Sequence, residues 1–552
     1  MSRSNPVRHA VVLALAIFGL AGVALAGGGG TPNQTDTLSP IAAGGAPFRL
    51  LIEPYPWKGD PLPALHSAAA AKSGDRLLFV GGKTSGLHDF TCDPYENFPE
   101  ADFNRTLFVV DLATGDVASR SIDDAASGLS IEQRAELASI NTLFTTVDGR
   151  LLAAGGYGLD AAGEFVTFGH LRVVDVVGTI AWVLGDASTL ADHIAFVDPP
   201  ADAPKNLAEV FFTLTGGDLF AIGEEFWLCL GQSFQGGYTD QCGPPQFQQI
   251  YSRQIRRFTL DFDAPSPVAS FAGATSRPPW ARRRDLNIVP ARVPDGDGVV
   301  ALSGVFTPGP DPGIWTVPIV VDAQGEMSMD DPDDPTALRQ GFNVYHAAKL
   351  PFWSAASGEN WFAILGGLGY RFIHDGGFVD DATFPYSNSA FAVRYAPGSD
   401  EWSQHLLGGS YPKILASDGS TLFHGTETET FPLVETDEHG MLDLDALLAA
   451  GEPTTVAVLY GGIVAAGQAY PDFVATSASN LMFTVTFLPG PGCSADLDGN
   501  GSVDGPDLAA LLGQWGEDPA GAGSPADLDG DGWVGGVDLS LMLSQWGACP
   551  KK

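Results

Sequence analysis

Hydrophobic and polar residues alternate over short distances along this chain of 552 residues, and a helical period is rare. Short runs rich in Val, Phe, Leu and Thr are separated by turns rich in Gly, Asp and Pro, which is the pattern of β-strands joined by tight turns. Only Ile131–Ala138 has convincing helical spacing. The pattern therefore predicts an all-β region between a Gly-rich segment ending at Pro47 and the Pro-Gly segment that begins at Pro489.

Six strands of this region end in Gly-Gly or a close variant, at intervals of about 60–95 residues. They are Leu77–Gly82, Leu151–Gly156, Trp227–Gln232, Val299–Gly304, Trp361–Gly367 and Val458–Gly462. Glycine at a strand end lets the backbone turn tightly and approach a neighbouring chain segment closely. The repeat therefore predicts six similar units, each with a hairpin and a further apolar strand.

A strand, a turn, a strand ending in Gly-Gly, a loop and an outer strand together resemble one blade of a kelch protein. The resemblance implies a six-bladed β-propeller over residues 48–488, with seven blades as the alternative count. A pair of β-sandwiches or an unrelated all-β array is the alternative fold. Phe48–Glu53 is expected to pair into the last blade and close the ring. Gly236–Tyr238, Gln246–Arg256 and Arg283–Asn287 are similar to segments of secreted bacterial kelch-like proteins.

Two acidic loops of twelve residues each lie near the carboxyl end, 31 residues apart. Oxygen ligands at loop positions 1, 3, 5, 7, 9 and 12, with Gly at position 6, are what a Ca²⁺ loop requires. The expected ligands are Asp496, Asp498, Asn500, Ser502, Asp504 and Asp507 in the first loop, and Asp527, Asp529, Asp531, Trp533 and Asp538 in the second. Ser502 and Trp533 contribute through their backbone carbonyls. The sequence thus predicts two Ca²⁺ sites.

Each loop continues into a short amphipathic helix, but Pro and Gly before each loop exclude an entering helix. A duplicated loop and helix with Asp at position 12 resembles a dockerin, here over residues 493–549. The resemblance is closer to the short dockerin-like anchors of planctomycete secreted proteins, which end in Trp-Gly-Cys, than to clostridial dockerins. Dockerins pair with cohesin modules, so the resemblance implies a cohesin-like or cell-surface protein as partner.

Two departures from the dockerin pattern affect this expectation. Gly535 occupies position 9 of the second loop, so we expect weaker Ca²⁺ binding there than at the first loop. Positions 10 and 11 are Gly505-Pro506 and Gly536-Val537, which lack the hydroxyl pair of clostridial dockerins. Trp515 and Trp546 recur at equivalent helix positions, and either helix packing or partner contact explains them.

The amino terminus has the pattern of a secretory signal. Arg3 and Arg8 precede an apolar run from Val11 to Val23, and Ala24-Leu25-Ala26 is a cleavage motif. The expected organisation is a signal peptide (residues 1–26), a flexible Gly-rich linker (27–47), the propeller (48–488), a Pro/Gly linker (489–492) and the dockerin-like module (493–549). A secreted or surface-associated bacterial protein, without a membrane span in its mature form, is the expectation.

Five cysteines fit an oxidising compartment. Cys493 and Cys549 bracket the dockerin-like module and are expected to form a disulfide. Cys229 and Cys242 flank a Gly-rich loop and are the second expected pair, which leaves Cys92 over. The formal net charge of −38 argues against nucleic acid and anionic membranes as partners.

No hydrolase, metalloprotease or phosphate-binding motif occurs, so no catalytic residue is assigned and no motif implies catalysis. The candidate ligand-binding residues of the propeller are Tyr251, Arg253, Arg283, Asp285 and His346. Loops from all blades converge at the mouth of a propeller channel, where such side chains grip a sugar or an acidic ligand, or transfer protons. The alternative is that they tie neighbouring blades together.

The sequence as a whole predicts an anchored binding or scaffold protein that depends on Ca²⁺. Its propeller is expected to bind an extracellular glycan or protein, and its tail to tether it to a surface or scaffold partner. The alternative is a dockerin-anchored polysaccharide hydrolase or lyase with its site at the channel mouth, because dockerins elsewhere often carry such domains.

Overall fold

A computed structural model describes residues 38–549 except 44, 90, 240–246, 265, 309–312, 375–376, 382–383, 469–474, 491–494, 499, 518–523 and 530–532. The predicted signal peptide, most of the predicted 27–47 linker, Cys242, Cys493 and Asp531 lie outside the described residues. Within the described part of the chain, no helix is both long and apolar enough to cross a membrane.

The protein is mostly β and contains many small sheets. Six larger sheets follow one another along the chain, and each contains four antiparallel strands. Sheet 1 contains Ala69–Ser73, Arg76–Val80, Thr106–Asp111 and Val117–Ser121. Sheet 2 contains Leu143–Val147, Arg150–Ala154, Leu171–Asp175 and Ile194–Val197. Sheet 3 contains Asp218–Ile222, Glu225–Cys229, Ile255–Asp261 and Val268–Ala274.

The last three sheets continue this order. Sheet 4 contains Asn287–Val293, Gly296–Leu302, Ile319–Val321 and Met327–Met329. Sheet 5 contains Ala348–Ser354, Glu359–Leu368, Tyr386–Ala396 and Glu401–Ser410, with Ile41–Ala43 and Leu442–Asp443 pairing in parallel at its two edges. Sheet 6 contains Glu429–Pro432, Thr454–Tyr460, Met482–Pro489 and Phe48–Pro54.

The first and last strands of the β region pair with each other. Phe48–Pro54 runs antiparallel to Met482–Pro489, with Leu50 opposite Phe487. This confirms that the early strand completes the last sheet. A flexible linker was predicted over residues 27–47. This prediction was wrong for the part near residue 47, because Ile41–Ala43 pairs with the outer strand of sheet 5.

Hydrophobic clusters join each sheet to the next, and a sixth cluster joins sheet 6 to sheet 1. The second strand of each sheet contributes to the clusters on both faces. In sheet 2, for example, Leu151 and Ala153 face sheet 1, whereas Leu152 and Ala154 face sheet 3. Burial on both faces explains why these strands are continuous apolar runs in the sequence.

The glycines after these strands allow close approach between sheets. Gly81 and Gly155 have φ of +66° and +64°, respectively. A Cβ atom at Gly81 would lie 2.5 Å from the Ser139 carbonyl oxygen, and one at Gly155 would lie 2.0 Å from that of Leu214. Both the positive φ and the tight contact with the next sheet therefore require glycine.

Smaller ribbons and helices fill the connections. The ribbons are Tyr157–Leu159 with Phe165–Thr167, Gln232–Gly236 with Phe247–Tyr251, Arg371–His374 with Gly377–Asp380, and Phe423–Thr426 with Ile463–Ala465 and Thr476–Ala478. The helices of this region are Pro94–Asn97, Ile131–Leu137, Val176–Val183, Lys205–Ala208 and Leu444–Ala450. The helix predicted at Ile131–Ala138 is confirmed, and the others were not predicted.

The tail contains two helices, Gly505–Leu512 and Gly536–Ser544, which contact each other. Ser502–Val503 pairs with Gly547–Ala548, and Gly516–Glu517 pairs with Trp533–Val534. Each pairing joins one repeat to the other, and the two pairings are related by the offset of 31 residues. Helix Gly536–Ser544 also contacts Ile41–Ala43 and Gly377–Asp380, so the tail packs beside sheet 5.

The cysteines differ from the prediction. Cys229 is free and fully buried among the residues between sheets 3 and 4, so the Cys229–Cys242 pair was wrong. It lies on the same strand face as Trp227, which points into that core. Cys92, which was expected to be left over, is disulfide-bonded. Cys549 is disulfide-bonded as predicted, and its expected partner Cys493 lies outside the described residues.

Candidate functional site

Each acidic loop of the tail gathers three carboxylates. Candidate ligand oxygens of Asp496, Asp498 and Asp507 lie within 4.8 Å of one another, and those of Asp527, Asp529 and Asp538 do the same. These are positions 1, 3 and 12 of the two predicted loops. Three converging carboxylates suit a hard divalent cation such as Ca²⁺, which prefers oxygen ligands.

The carboxylates at position 12 also hold the loops together. Asp507 accepts hydrogen bonds from the backbone N–H groups of Leu497 (2.7 Å), Asp498 (3.2 Å) and Asp504 (2.8 Å). Asp538 accepts the equivalent bonds from Leu528, Asp529 and Gly535. Both carboxylates are completely buried, so each anchors its loop to the following helix.

The remaining predicted ligands of the first loop lie around its triad. The backbone N–H of Asn500 donates to Asp496 and Asp498 at 3.0 Å, and its side chain is exposed. A side-chain oxygen of Asp504 is buried without a hydrogen-bond partner among the described residues. An oxygen in this condition is an acceptor that a cation or an ordered water would satisfy. The residues present therefore fit a divalent cation that prefers oxygen ligands.

Four large apolar side chains of the tail are exposed in two equivalent pairs. Leu512 and Leu543 are 51% and 52% exposed, and Trp515 and Trp546 are 49% and 48% exposed. The interior of the module is built from other residues, including Val503, Leu511, Val534 and Leu541. About half of the surface of both tryptophans is exposed, so packing between the two helices accounts for only part of it.

A second candidate site, a cluster of polar and charged side chains, lies where the first strands of the six sheets begin. Its cavity is lined by polar and charged residues that come from every sheet: Ser67, Asn141, Asp218, Asp285, His346, Glu427 and Glu429. Ser67, Asn141, Asp285, His346 and Glu427 come just before the first strands, and Gly216 occupies this place for sheet 3. We call this site the central cavity.

Backbone hydrogen bonds link these equivalent positions from sheet to sheet. Asn141 donates to Ser67 (3.1 Å), Gly216 to Asn141 (3.3 Å), Asp285 to Gly216 (2.7 Å) and Glu427 to His346 (3.0 Å), in each case from N–H to C=O. The Ser67 hydroxyl donates to the Glu427 carboxylate at 3.1 Å. The central cavity is therefore held by the same backbone framework that holds the sheets together.

The Asp437–Asp443 segment, which follows the first strand of sheet 6, spans the end of the first strands opposite the central cavity. In this segment, a ring nitrogen of His439 lies 3.2 Å from the carbonyl oxygen of Ala221 in sheet 3. His439 also lies 3.2 Å from Asp297 in sheet 4, and Asp437 pairs with Arg292 there at 2.5 Å. The segment then pairs with sheet 5 through Leu442–Asp443. It thereby covers the end of the first strands that is remote from the central cavity.

Three ion pairs surround the central cavity. Lys349 contacts Asp218 at 2.9 Å, His346 lies 3.4 Å from Glu427, and Arg284 pairs with Asp285. Glu429 also lines the cavity, and no hydrogen bond or ion pair of its carboxyl group is seen among the described residues.

Burial changes the protonation of these groups. Burial raises the pKa of Glu429 to about 7, with Glu427 adding to the rise and His346 opposing it. Burial and Lys349 act to lower the pKa of His346, but the Glu427 carboxylate outweighs them and the pKa rises. Burial acts to raise the pKa of Glu427, but His346 lowers it overall. Of the two glutamates at the cavity, Glu429 is therefore the one whose pKa lies near neutral pH.

The structure separates the five predicted ligand residues. Asp285 and His346 line the central cavity. Tyr251 supports Asp285 indirectly, because its hydroxyl accepts a hydrogen bond from Arg284 at 3.2 Å. Arg253 has φ of +54° and does not line the cavity. Arg283 is fully buried and donates to the carbonyl oxygens of Ser303 (3.0 Å) and Trp280 (3.2 Å), which is a structural role.

Sequence reasoning missed Ser67, Asn141, Asp218, Lys349, Glu427 and Glu429. The signal that could have found most of them is their place in the repeat, immediately before or at the start of the first strand of each sheet. The neighbouring His66 is buried, with a ring nitrogen 2.8 Å from the Ser67 hydroxyl, and burial lowers its pKa to about 4.

Replacing Glu429 by Gln should remove a pH dependence of stability. A carboxyl group whose pKa is higher in the folded state than in the unfolded state makes stability fall as pH rises between the two values. The wild type should therefore lose about 3 kcal/mol between pH 4.5 and 7 that Glu429→Gln does not lose. Urea unfolding at several pH values measures this difference, and Glu452→Gln, at an exposed turn, is the control of equal charge change. Parallel pH profiles of wild type and Glu429→Gln would contradict the prediction.

Comparisons with known proteins give little further information. No protein-family model matches the chain, and no curated protein matches it. Among solved structures, one described as "Structure of YjhT" is similar over 76% of this chain and 99% of that chain, at 12% sequence identity and a TM-score of 0.37.

Proposed function

We propose that this chain is a secreted binding or scaffold protein that is anchored through Ca²⁺. A six-bladed kelch-like β-propeller formed by sheets 1–6 binds an extracellular glycan or protein, and a dockerin-like tail tethers the propeller to a cell-surface or scaffold partner. The observation that carries the proposal is the pair of equivalent acidic triads, Asp496–Asp498–Asp507 and Asp527–Asp529–Asp538, within a duplicated loop and helix.

The arrangement of the sheets supports the propeller. Six consecutive four-stranded sheets each pack on the next, and the cluster of Phe79, Phe431 and Tyr460 connects sheet 6 back to sheet 1. The first strands meet around the central cavity. A ring of this kind leaves one open end of the channel, because the Asp437–Asp443 segment covers the other.

The exposed residues of the tail support the anchoring role. Leu512, Trp515, Leu543 and Trp546 present two equivalent apolar patches beside loops that fit Ca²⁺. Aromatic side chains are enriched at the energetic centres of protein interfaces. A protein partner with an apolar docking surface therefore fits this face.

The alternative is an anchored carbohydrate-active enzyme, and the central cavity is the observation that favours it. Glycoside hydrolysis uses two carboxyl groups, one of them with a raised pKa that serves as the acid. Glu429 has this property, and Glu427 and Asp285 remain paired nearby. In this function Glu429 would donate a proton to the leaving group.

One experiment with the full-length mature chain distinguishes these functions. The protein is incubated with immobilised polysaccharides in Ca²⁺, and both retention and newly formed reducing ends are measured. We expect retention on at least one polymer without cleavage. New reducing ends that disappear in Glu429→Gln would replace the binding function by the enzyme, whereas neither retention nor cleavage would leave a protein as the ligand of the propeller.

A further inference from the structure

The charges around the central cavity are unequal in number. Asp218, Asp285 and Glu427 each have a cationic partner, whereas Glu429 has none among the described residues. The charged groups that act on Glu429 are Glu427 just before its strand, His346 and Lys349 at the start of sheet 5, and Asp218 of sheet 3. The two cationic groups form ion pairs with the two other carboxylates, and neither forms an ion pair with Glu429 among the described residues.

The cavity wall also offers hydrogen-bond acceptors and very little space. The side-chain oxygen of Asn141 has no hydrogen-bond partner among the described residues. The cavity volume is about 40 Å³, whereas a single water needs about 10–15 Å³ of such a cavity. A group of about three heavy atoms therefore fits inside, and a sugar ring does not.

The chemistry of the wall defines the group that fits. An ammonium group has three donors and one positive charge, which match an unpaired carboxylate and further acceptors. A divalent cation fits less well, because the clusters of converging metal ligands among the described residues do not include Glu429. Ser67, Asn141 and His346 at the wall favour an amine flanked by hydroxyl groups over one at the end of an apolar chain.

We propose that the central cavity binds the primary ammonium group of an amino sugar, whose ring stays at the mouth of the cavity. The proposal rests on the glycan-binding role proposed above and specifies its ligand. The ammonium group is the counter-charge of Glu429, Asn141 accepts a further hydrogen bond from it, and Ser67 and His346 contact hydroxyl groups of the ring. Acetylation of the amine removes the positive charge that pairs with Glu429 and adds three heavy atoms to the nitrogen.

The test measures binding of D-glucosamine and N-acetyl-D-glucosamine to the full-length mature protein by calorimetry at pH 7, in Ca²⁺. We expect D-glucosamine to bind at least about tenfold more tightly than its acetylated form. We expect Glu429→Gln to weaken the binding of D-glucosamine by a similar factor. Glu452→Gln, at an exposed turn, is the control and should bind like the wild type. Because Gln keeps the shape of Glu and removes a buried charge, this variant should fold.

Three results would overturn the proposal. The first is equal binding of the two sugars, and the second is unchanged D-glucosamine binding in Glu429→Gln. The third is binding of Nα-acetyl-L-lysine as tight as that of D-glucosamine, which would make a protein lysine the ligand.

The polysaccharide experiment separates this proposal from the glycan-binding role. If polysaccharides are retained but D-glucosamine does not bind, the glycan-binding role stands and the ammonium proposal fails. If D-glucosamine binds as expected while no polymer is retained, the ammonium proposal stands and the polymer-binding role fails.

Discussion

Asp496→Ala combined with Asp527→Ala should abolish Ca²⁺-dependent folding of the tail. The carboxylate of Asp496 is one of three in its triad, and it also accepts hydrogen bonds from the backbone of Asn500 (3.0 Å) and Gly501 (2.8 Å). Asp527 is the equivalent residue of the second triad. Loss of both should weaken Ca²⁺ binding by at least about a hundredfold, or about 2.7 kcal/mol.

The effect should extend from the loops to the helices. Residues 493–549 contain ten acidic residues and no Lys or Arg, so repulsion between carboxylates opposes folding when no cation is bound. Metal binding and folding are then one event. Hydrogen exchange of Gly505–Leu512 and Gly536–Ser544 in the full-length protein should be slow in Ca²⁺, and fast in EDTA or in the double variant.

A matched control separates this effect from a general change in charge. Asp331→Ala with Asp333→Ala removes two acidic residues from an exposed loop between sheets 4 and 5 and should leave Ca²⁺ binding unchanged. Slow exchange of both tail helices in EDTA, in the wild type, would show that the tail folds without Ca²⁺. That result would remove the calcium dependence from the proposed function.

The strands that the sequence predicts best are those buried on both faces. Leu77, Leu78, Phe79 and Val80 alternate between the clusters on the two sides of sheet 1, so the whole run is apolar and easy to recognise. The fourth strand of the same sheet, Val117–Ser121, is half-buried or exposed throughout and contains polar residues. Such edge strands are held by backbone pairing with a neighbour, and their sequences therefore carry a weak signal.

The unpredicted helix Val176–Val183 is an effect of tertiary structure. It contains Gly178 and several β-branched residues, which disfavour helices in isolation. Val176, Ile180, Trp182 and Val183 are buried in the cluster between sheets 1 and 2, and this burial outweighs local propensity. Helical spacing alone could not distinguish this segment from a buried strand.

The central cavity was predicted in part, for a similar reason. Asp285 and His346 belong to segments with conspicuous charged residues, whereas Asp218 and Glu429 are acidic residues that begin strands. These residues are more than 200 positions apart, and only the register of the first strands brings them together. The tail required no such long-range information, because each triad lies within twelve consecutive residues.

Phe48→Ala should lower the free energy of unfolding by about 3–5 kcal/mol, the usual cost of truncating a fully buried Phe. Phe48 lies in the amino-terminal strand of sheet 6 and is 0% exposed. Its ring lies 4.9 Å from that of Phe352 in sheet 5 and 5.0 Å from that of Phe487 in sheet 6, between ring centroids. The variant therefore damages the contact between sheets 5 and 6 from a position at the other end of the β region.

The location of the effect tests whether the two ends of the β region close onto each other. Leu51→Ala, in the same strand, is the control, because Leu51 is 41% exposed and should cost less than about 1 kcal/mol. Urea unfolding gives the two free energies, and hydrogen exchange should accelerate in Met482–Pro489 for Phe48→Ala more than for Leu51→Ala. If Phe48→Ala changed neither quantity, the strand would not be part of sheet 6 in solution, and the β region would have to close without it. A large loss confined to Phe48→Ala, with faster exchange in Met482–Pro489, would instead mean that the amino-terminal strand packs between sheets 5 and 6 in solution, although it lies more than 400 residues from its partner strand.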